Sequence, residues 1–174
     1  DVYQRQPVST AFSHYLNLCL FWAGNYLTKS ARIEHISAEM YRSSAIETFD
    51  TCGVKIKTLG GPPVLALVTH ACENAMEPKI EMSGTRGKIT WQQTQVEIVE
   101  NGMARSKCFY PDIDAVRVEM FDAVIKKLKG ESPPVCTLDM AYPLTLLVNA
   151  MHHGARVLSL IQISDPTRPS TIAY

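Results

Sequence analysis

The beginning of the chain carries apolar residues at helical spacing. The pattern predicts a helix from about Thr10 to Tyr26, because a side chain recurs on the same face after every three or four residues. The apolar positions are Phe12, Leu16, Leu20 and Ala23. We expect this helix to bury that face in the core of the protein.

From about residue 31 to residue 109 the pattern changes to alternation, which is typical of strands. In the VKIK stretch at 54–57, Val54 and Ile56 point to one face and the two lysines to the other. Asn101-Gly102 stands between two alternating runs and predicts a two-residue type I′ hairpin. The short turns between the runs predict a largely antiparallel sheet, since parallel strands need long crossovers.

Three further stretches in this region predict local structure. The GGPP at 60–63 predicts a turn, because glycine supplies positive φ and proline fixes φ at its own position. The VLALVTHA at 64–71 predicts a more fully buried strand. The GTRGK at 84–88 lacks the spacing of a phosphate-binding loop and predicts a hairpin turn instead.

Two helices are predicted to close the chain. An apolar stripe runs from Ile113 to Leu128, and Gly130 is expected to end that helix. A second helix is predicted from about Asp139 to Leu160, with Pro143 tolerated only in its first turn. Residues 165–174 contain two prolines and predict an extended tail.

This order of elements predicts an α+β fold in one domain spanning residues 1–174. We expect a largely antiparallel, open-faced β-sheet with its helices packed on one face. The uncovered face would carry a mixture of polar and apolar side chains, which is typical of a subunit interface. The residues expected there are Thr90, Gln92, Thr94 and Glu97, among Trp91 and Val96.

Composition and charge narrow the classes of partner. The chain is 46% hydrophobic and 20% charged, which is enough for a globular core, and its formal net charge is zero. The chain has no surplus of basic residues of the kind that would indicate binding to a nucleic acid or to an anionic membrane surface. The apolar run around Leu16 to Trp22 is too short to span a bilayer. We therefore expect neither nucleic acid nor membrane as a partner.

The five cysteines are odd in number and widely spaced, and no C-x-x-C occurs. This pattern fits neither a disulfide framework nor a zinc site, so no metal is expected. The interpretation is buried free thiols in a reducing compartment, and therefore a cytoplasmic protein.

The motifs that hold nucleotides are missing from the chain. There is no G-x-G-x-x-G after a strand and no G-x-x-x-x-G-K-S/T, so we expect no cofactor to bind within this chain. The candidate chemistry lies in histidines. His14 and Asn17 share a helical face with Thr10, and His70 ends a predicted strand. Each histidine is either a core side chain bonded to the backbone or a functional group.

Four motifs in order resemble the C-terminal domain of the Gfo/Idh/MocA oxidoreductases, the family of glucose–fructose oxidoreductase and inositol dehydrogenase. The resemblance covers about residues 8 to 160. Asn17 stands where the family usually has aspartate, and Thr10 stands where many members have a second acid. The motifs are HYLNLCLFWAG at 14–24, DTCGVKIKTLGGPPVLALVTHA at 50–71, PKIEMSGTRGKITW at 78–91 and FDAVIKKLKGESPPVCTLDMAYPLTLLVNAM at 121–151.

The resemblance implies a substrate-binding and oligomerisation domain of an NAD(P)-dependent oxidoreductase that acts on a sugar or polyol. It implies that His14 is catalytic and that Thr10, Asn17 and His70 bind the substrate. NAD or NADP would bind an N-terminal Rossmann domain of the parent enzyme that this chain lacks, so the isolated chain would be inactive. A homodimer through the open sheet face is expected. The alternative is a stand-alone, non-catalytic module that binds a ligand or dimerises.

Overall fold

The computed structural model describes residues 12–74, 76–92, 95–109, 113–132 and 135–159. These residues divide into two compact units. Of the described residues, those in 12–74 and 137–159 form one unit, and those between 76 and 136 form the other.

The first unit is a four-stranded sheet with two helices on one face. Its elements are α1 (Ser13–Trp22), β1 (Ile33–Arg42), β2 (Thr51–Thr58), β3 (Val64–Thr69), α3 (Leu138–Gly154) and β8 (Val157–Ser159). The strand order is β3-β2-β1-β8. Strands β1, β2 and β3 pair antiparallel, whereas β8 pairs parallel with β1.

The core of this unit lies between the two helices and the sheet. Leu16 and Leu20 of α1 meet Leu147 and Met151 of α3 there, and all four are at most 2% exposed. The sheet contributes Met40, Cys52, Val54, Ile56 and Val68, and the loop after β1 contributes Phe49. The predicted alternation in β2 is confirmed, because Val54 and Ile56 are buried and Lys55 and Lys57 are exposed.

Strand β3 is less buried than the sequence indicated. It lies at the edge of the sheet, and only the face towards the helices is covered. Leu65 and Leu67 point to the other face and are 70% and 78% exposed. The prediction of a more fully buried strand was wrong, since a continuous apolar run does not say how many faces are covered.

The second unit contains an antiparallel meander and one helix. Its elements are β4 (Lys79–Gly84), β5 (Gly87–Gln92), β6 (Gln95–Glu100), β7 (Met103–Phe109) and α2 (Ile113–Leu128). The strands follow one another in chain order. Both predicted hairpin turns are confirmed. Asn101 and Gly102 have φ values of 51° and 79°, as a type I′ turn requires, and the other turn lies between the paired residues Gly84 and Gly87.

The register of this sheet separates residues that the sequence analysis had placed on one face. Trp91 pairs with Val96, whereas Thr90 pairs with Glu97, and paired residues point to the same side. Neighbouring positions in a strand point to opposite sides. The prediction of a mixed face was therefore wrong. Trp91 and Val96 belong to an apolar face of the sheet, and the opposite, polar face carries Thr90, Gln92 and Glu97. Thr94 lies outside the described residues.

Helix α2 begins and ends as predicted. Gly130 follows it with φ 88°, and its N–H bonds the carbonyl of Lys127, while Glu131 N bonds the carbonyl of Lys126. This is a Schellman closure, for which glycine is the preferred residue. Several apolar side chains of the helix are nevertheless exposed: Val118, Met120, Phe121, Val124, Ile125 and Leu128.

Helix α3 begins one residue earlier than predicted and ends at Gly154 rather than near Leu160. Pro143 therefore lies in its second turn, where its ring is buried and the carbonyl of Asp139 receives no helical N–H. Residues Val157–Ser159 form β8, so the predicted last turns of the helix were wrong.

The predicted α+β class and the antiparallel pairing are confirmed, with the strands in two four-stranded sheets. In the described residues, no helix is both long enough and apolar enough to span a membrane. Residues 165–174, for which an extended tail was predicted, lie outside the described part of the chain.

Candidate functional site

Helix α1 presents His14 away from the core. The buried face of the helix carries Leu16 and Leu20, and His14 is exposed. Asn17 follows one turn later and is half-buried, with its Oδ1 out of contact with solvent. An exposed imidazole is available to a ligand, so the interpretation of His14 as a core histidine was wrong. Thr10 lies outside the described residues.

The structure brings His70 to the start of the same helix. His70 directly follows β3, is exposed, and donates its backbone N–H to the carbonyl of Asp50 at 2.8 Å. Its imidazole lies 5.4 Å from the ring of Phe12, centroid to centroid, at an interplanar angle of 37°. Phe12 directly precedes α1, so His70 and the beginning of the helix with His14 belong to one end of the first unit.

Asp50 is a buried carboxylate beside this site. It is 5% exposed, and its two oxygens accept hydrogen bonds from Ser43 N, Ser43 Oγ and Ser44 N at 2.9–3.2 Å. Burial by itself raises the pKa of Asp50, but these hydrogen bonds outweigh it and hold the pKa below its ordinary value. The carboxylate is therefore charged in the folded protein near neutral pH and fixes the turn that follows β1.

Sequence reasoning placed Phe12 in the core and gave no role to Asp50, Thr51 or Thr69, although all four belong to the contacts around His70. Thr51 and Thr69 face each other across β2 and β3, with their hydroxyl oxygens 2.8 Å apart. Asp50 opens the motif at 50–71, and His70 lies at the other end of it, one residue before the last. That shared motif was the available signal, but only the register shows that its two ends meet.

Two other histidines lie on α3. The ring of His152 is 5.9 Å from that of Phe49, and both His152 and His153 are exposed. Among the described residues, no three histidine, cysteine or acidic side chains lie together as metal ligands would.

The cysteines differ in their burial. Cys52 is buried, which raises the pKa of its thiol to about 11, and partial burial also raises the pKa of Cys19. Both are therefore poor nucleophiles, because the thiolate is the reactive form. Cys72 and Cys136 are exposed, so the prediction of buried thiols was wrong for them.

The second unit holds an open depression of about 400 Å³ at the β4–β5 hairpin. Arg86, Lys88 and Glu100 are among its charged lining residues, and Met82, Ile89 and Ile98 among its apolar ones. No predicted site residue lines it. Glu81 of β4 contacts Lys79 of the same strand at 2.7 Å and Lys88 of β5 at 2.8 Å, and these two lysines lower the pKa of its carboxyl to about 2.

The fold is similar to that of several solved oxidoreductases. A UDP-N-acetylglucosamine 3-dehydrogenase from Acidithiobacillus ferrooxidans matches 89% of this chain with a TM-score of 0.72 and 10% identity. An oxidoreductase from Agrobacterium radiobacter, solved with NAD+, L-tartaric acid and magnesium, matches 86% with a TM-score of 0.67 and 17% identity. A 3-ketoreductase from Actinomadura kijaniata, solved with TDP-benzene and NADP, matches 88% with a TM-score of 0.65 and 17% identity.

This chain spans just under half the length of these proteins, between 47% and 48%. They are oxidoreductases of the Gfo/Idh/MocA type, so the likeness confirms the fold that the sequence resemblance implied. No protein-family model and no curated protein sequence matches the chain.

Proposed function

We propose that this chain is the C-terminal substrate-binding and oligomerisation domain of an NAD(P)-dependent oxidoreductase of the Gfo/Idh/MocA type, acting on a sugar or polyol. Its partner is an N-terminal Rossmann domain of the parent protein, which binds NAD or NADP. The shared fold with NAD- and NADP-bound oxidoreductases supports this proposal, as does the coverage of just under half of each. The free, exposed thiol of Cys72 suits a reducing, cytoplasmic setting.

The main support for the proposed site is that His14 is exposed on a helix whose other face is buried. An apolar helix that keeps an imidazole in solvent, one turn before a half-buried amide, is suited to hold a polar ligand. Asn17 can donate and accept hydrogen bonds to substrate hydroxyls. His70 lies at the beginning of the same helix and adds a second imidazole.

In this proposal, His14 is the group that takes or returns the proton of the substrate hydroxyl whose carbon is oxidised. The bound cofactor of the parent enzyme supplies the hydride acceptor. Asn17, His70 and Thr10 orient the remaining hydroxyls. Asn17 and Thr10 stand where members of the family often have acidic residues. In this proposal, His14 therefore transfers the proton without a carboxylate from either of these positions.

The open face of the first sheet supports the oligomerisation role. Leu65 and Leu67 are exposed there on an edge strand, opposite the face covered by α1 and α3. Exposed apolar side chains in a cluster are typical of interaction surfaces. We propose that a second copy of the chain covers them in an isologous dimer. The apolar face of the second sheet, which carries Trp91 and Val96, also remains a predicted contact surface for a second copy of the chain.

Titration calorimetry with two classes of probe tests this function. UDP-N-acetylglucosamine and L-tartrate represent sugar-nucleotide and hydroxy-acid ligands, and we expect saturable binding that His14→Ala weakens. NADH and NADPH should show no saturable binding to this chain. Micromolar binding of either dinucleotide would contradict the two-domain proposal. A parent gene without an upstream dinucleotide-binding segment would favour the stand-alone module instead.

A further inference from the structure

A continuous chain of hydrogen bonds runs along one end of the first sheet. Ala71 N donates to Thr69 Oγ1 at 3.0 Å, the hydroxyl oxygens of Thr69 and Thr51 are 2.8 Å apart, and Thr51 Oγ1 donates to Asp50 Oδ1 at 3.2 Å. A hydroxyl has one proton to give. Because Thr51 gives its proton to the carboxylate, Thr69 is the donor in the bond between the two threonines. The donors therefore all point towards Asp50.

The carboxylate end of this chain is firmly held. Asp50 accepts three hydrogen bonds from Ser43 and Ser44, and its own N–H donates to the carbonyl of Tyr41 at 3.0 Å. Its side chain is charged and buried. Hydrogen bonds to an ionised acceptor are about twice as strong as those between neutral groups. A hydroxyl that donates to Asp50 is thereby fixed in one orientation.

The other end of the chain holds the segment that carries His70. The N–H of His70 donates to the carbonyl of Asp50 at 2.8 Å, and the next N–H, that of Ala71, donates to Thr69 Oγ1. The backbone is thus tied on both sides of the imidazole. The third constraint is the ring of Phe12, 5.4 Å from the imidazole.

We infer that Asp50, Thr51 and Thr69 are positioning residues, which together hold the His70 imidazole beside the start of α1. This inference rests on the proposed role of His70 in binding substrate. An exposed side chain at the end of an edge strand would otherwise sample several orientations, and binding groups work best when their supporting hydrogen bonds fix them in advance. The two threonines are exposed or half-exposed polar residues whose hydroxyls support the histidine rather than the core.

NMR spectroscopy of the folded 174-residue chain tests the inference without any ligand. In the Thr69→Val variant, the Ala71 amide loses its acceptor and should exchange with solvent roughly tenfold faster, the factor for one hydrogen bond of typical strength. The contact between the His70 and Phe12 rings, followed by their nuclear Overhauser effect, should weaken. Thr69→Ser keeps the hydroxyl and should restore both. If Thr69→Val does not fold, Thr51→Val interrupts the same chain and should release His70 in the same way.

Thr58→Val is the matched control at the other end of β2. Its buried hydroxyl donates to the carbonyl of Pro62 at 2.8 Å, so its loss should lower stability but leave His70 in place. If the contact between the His70 and Phe12 rings is unchanged in folded Thr69→Val, the inference is wrong. It is also wrong if that contact weakens equally in Thr58→Val. If instead the valine variant releases His70 but UDP-N-acetylglucosamine never perturbs His70 in the parental chain, the positioning stands and the proposed binding function fails.

Discussion

Gly61 approaches the end of α1 so closely that a Cβ atom on it would lie 2.4 Å from the carbonyl oxygen of Ala23. Thr58 Oγ1 would be 2.9 Å from the same Cβ. Real Cβ atoms do not come this near to a backbone oxygen. The turn between β2 and β3 therefore packs against Ala23, the residue that directly follows α1, and this packing requires glycine.

We predict that Gly61→Ala destabilises the protein by about 1–3 kcal/mol, the usual cost of overpacking a well-packed site. The helix end and the turn must separate to admit the methyl group. Urea unfolding measures the effect. Gly154→Ala is the control, because nothing lies within 4 Å of a Cβ there. Equal stability of the two variants would mean that the close contact is absent in solution.

His14→Ala should leave stability within about 0.5 kcal/mol of the parental protein, as for most exposed side chains. In the two-domain enzyme we propose, it should lower kcat by ~10²–10⁴-fold, the usual range for a general acid–base group. Melting temperature and turnover of the same preparation measure both effects. His153→Ala, an exposed histidine on α3, should change neither. A less stable His14→Ala protein with normal turnover per folded molecule would identify a structural histidine.

Leu67→Glu should dissociate a dimer that forms through the open face of the first sheet. Leu67 is 78% exposed on β3, and a dimer would have to bury its side chain, whereas a buried unpaired carboxylate is strongly unfavourable. Light scattering at tens of micromolar should show a dimer for the parental chain and a monomer for the variant. Leu138→Glu, 88% exposed at the start of α3, should remain a dimer. A parental chain that is monomeric at this concentration contradicts the proposed interface.

Asp50 should make stability depend on pH below about 4. Its pKa is lowered in the folded state from the 3.8 of an ordinary aspartate, so its stabilisation is complete above that value and is lost as the pH falls through the folded pKa. Asp50→Asn should cost about 1–3 kcal/mol at pH 7, because charge-assisted hydrogen bonds are lost. The difference should shrink as unfolding is repeated towards pH 2. A difference that stays constant with pH would mean that the Asp50 carboxylate is not what stabilises the turn. Glu73→Gln, which removes one exposed carboxylate, is the control for net charge.

The elements that sequence predicted well depend on local signals. The Asn101-Gly102 hairpin was predictable because the two φ values that the turn needs are costly for most other residues. Val54 and Ile56 identified their strand because one covered face gives clean alternation. In each case the local structure follows from the properties of a few neighbouring residues.

The elements that were missed depend on distant pairing. Val157, Leu158 and Ser159 continue an apolar helical pattern, and only their parallel pairing with Met40, Tyr41 and Arg42 makes them a strand. The hydrogen-bond chain around His70 needs the register between Thr51 and Thr69, eighteen positions apart. The exposure of Leu65 follows from the position of β3 at the sheet edge. None of these relationships is written in a short stretch of sequence.

The first unit is interrupted in the chain, and this determines when it can form during synthesis. The ribosome completes β1, β2 and β3, then makes the whole second unit, and only afterwards supplies α3 with Leu147 and Met151. The second unit is continuous and can fold as it emerges, because contiguous units fold while later ones are still being made. The apolar face of the first sheet therefore remains uncovered by α3 until the whole second unit has been synthesised. A chain that ends at Cys136 would therefore carry one complete unit and one that needs protection from aggregation.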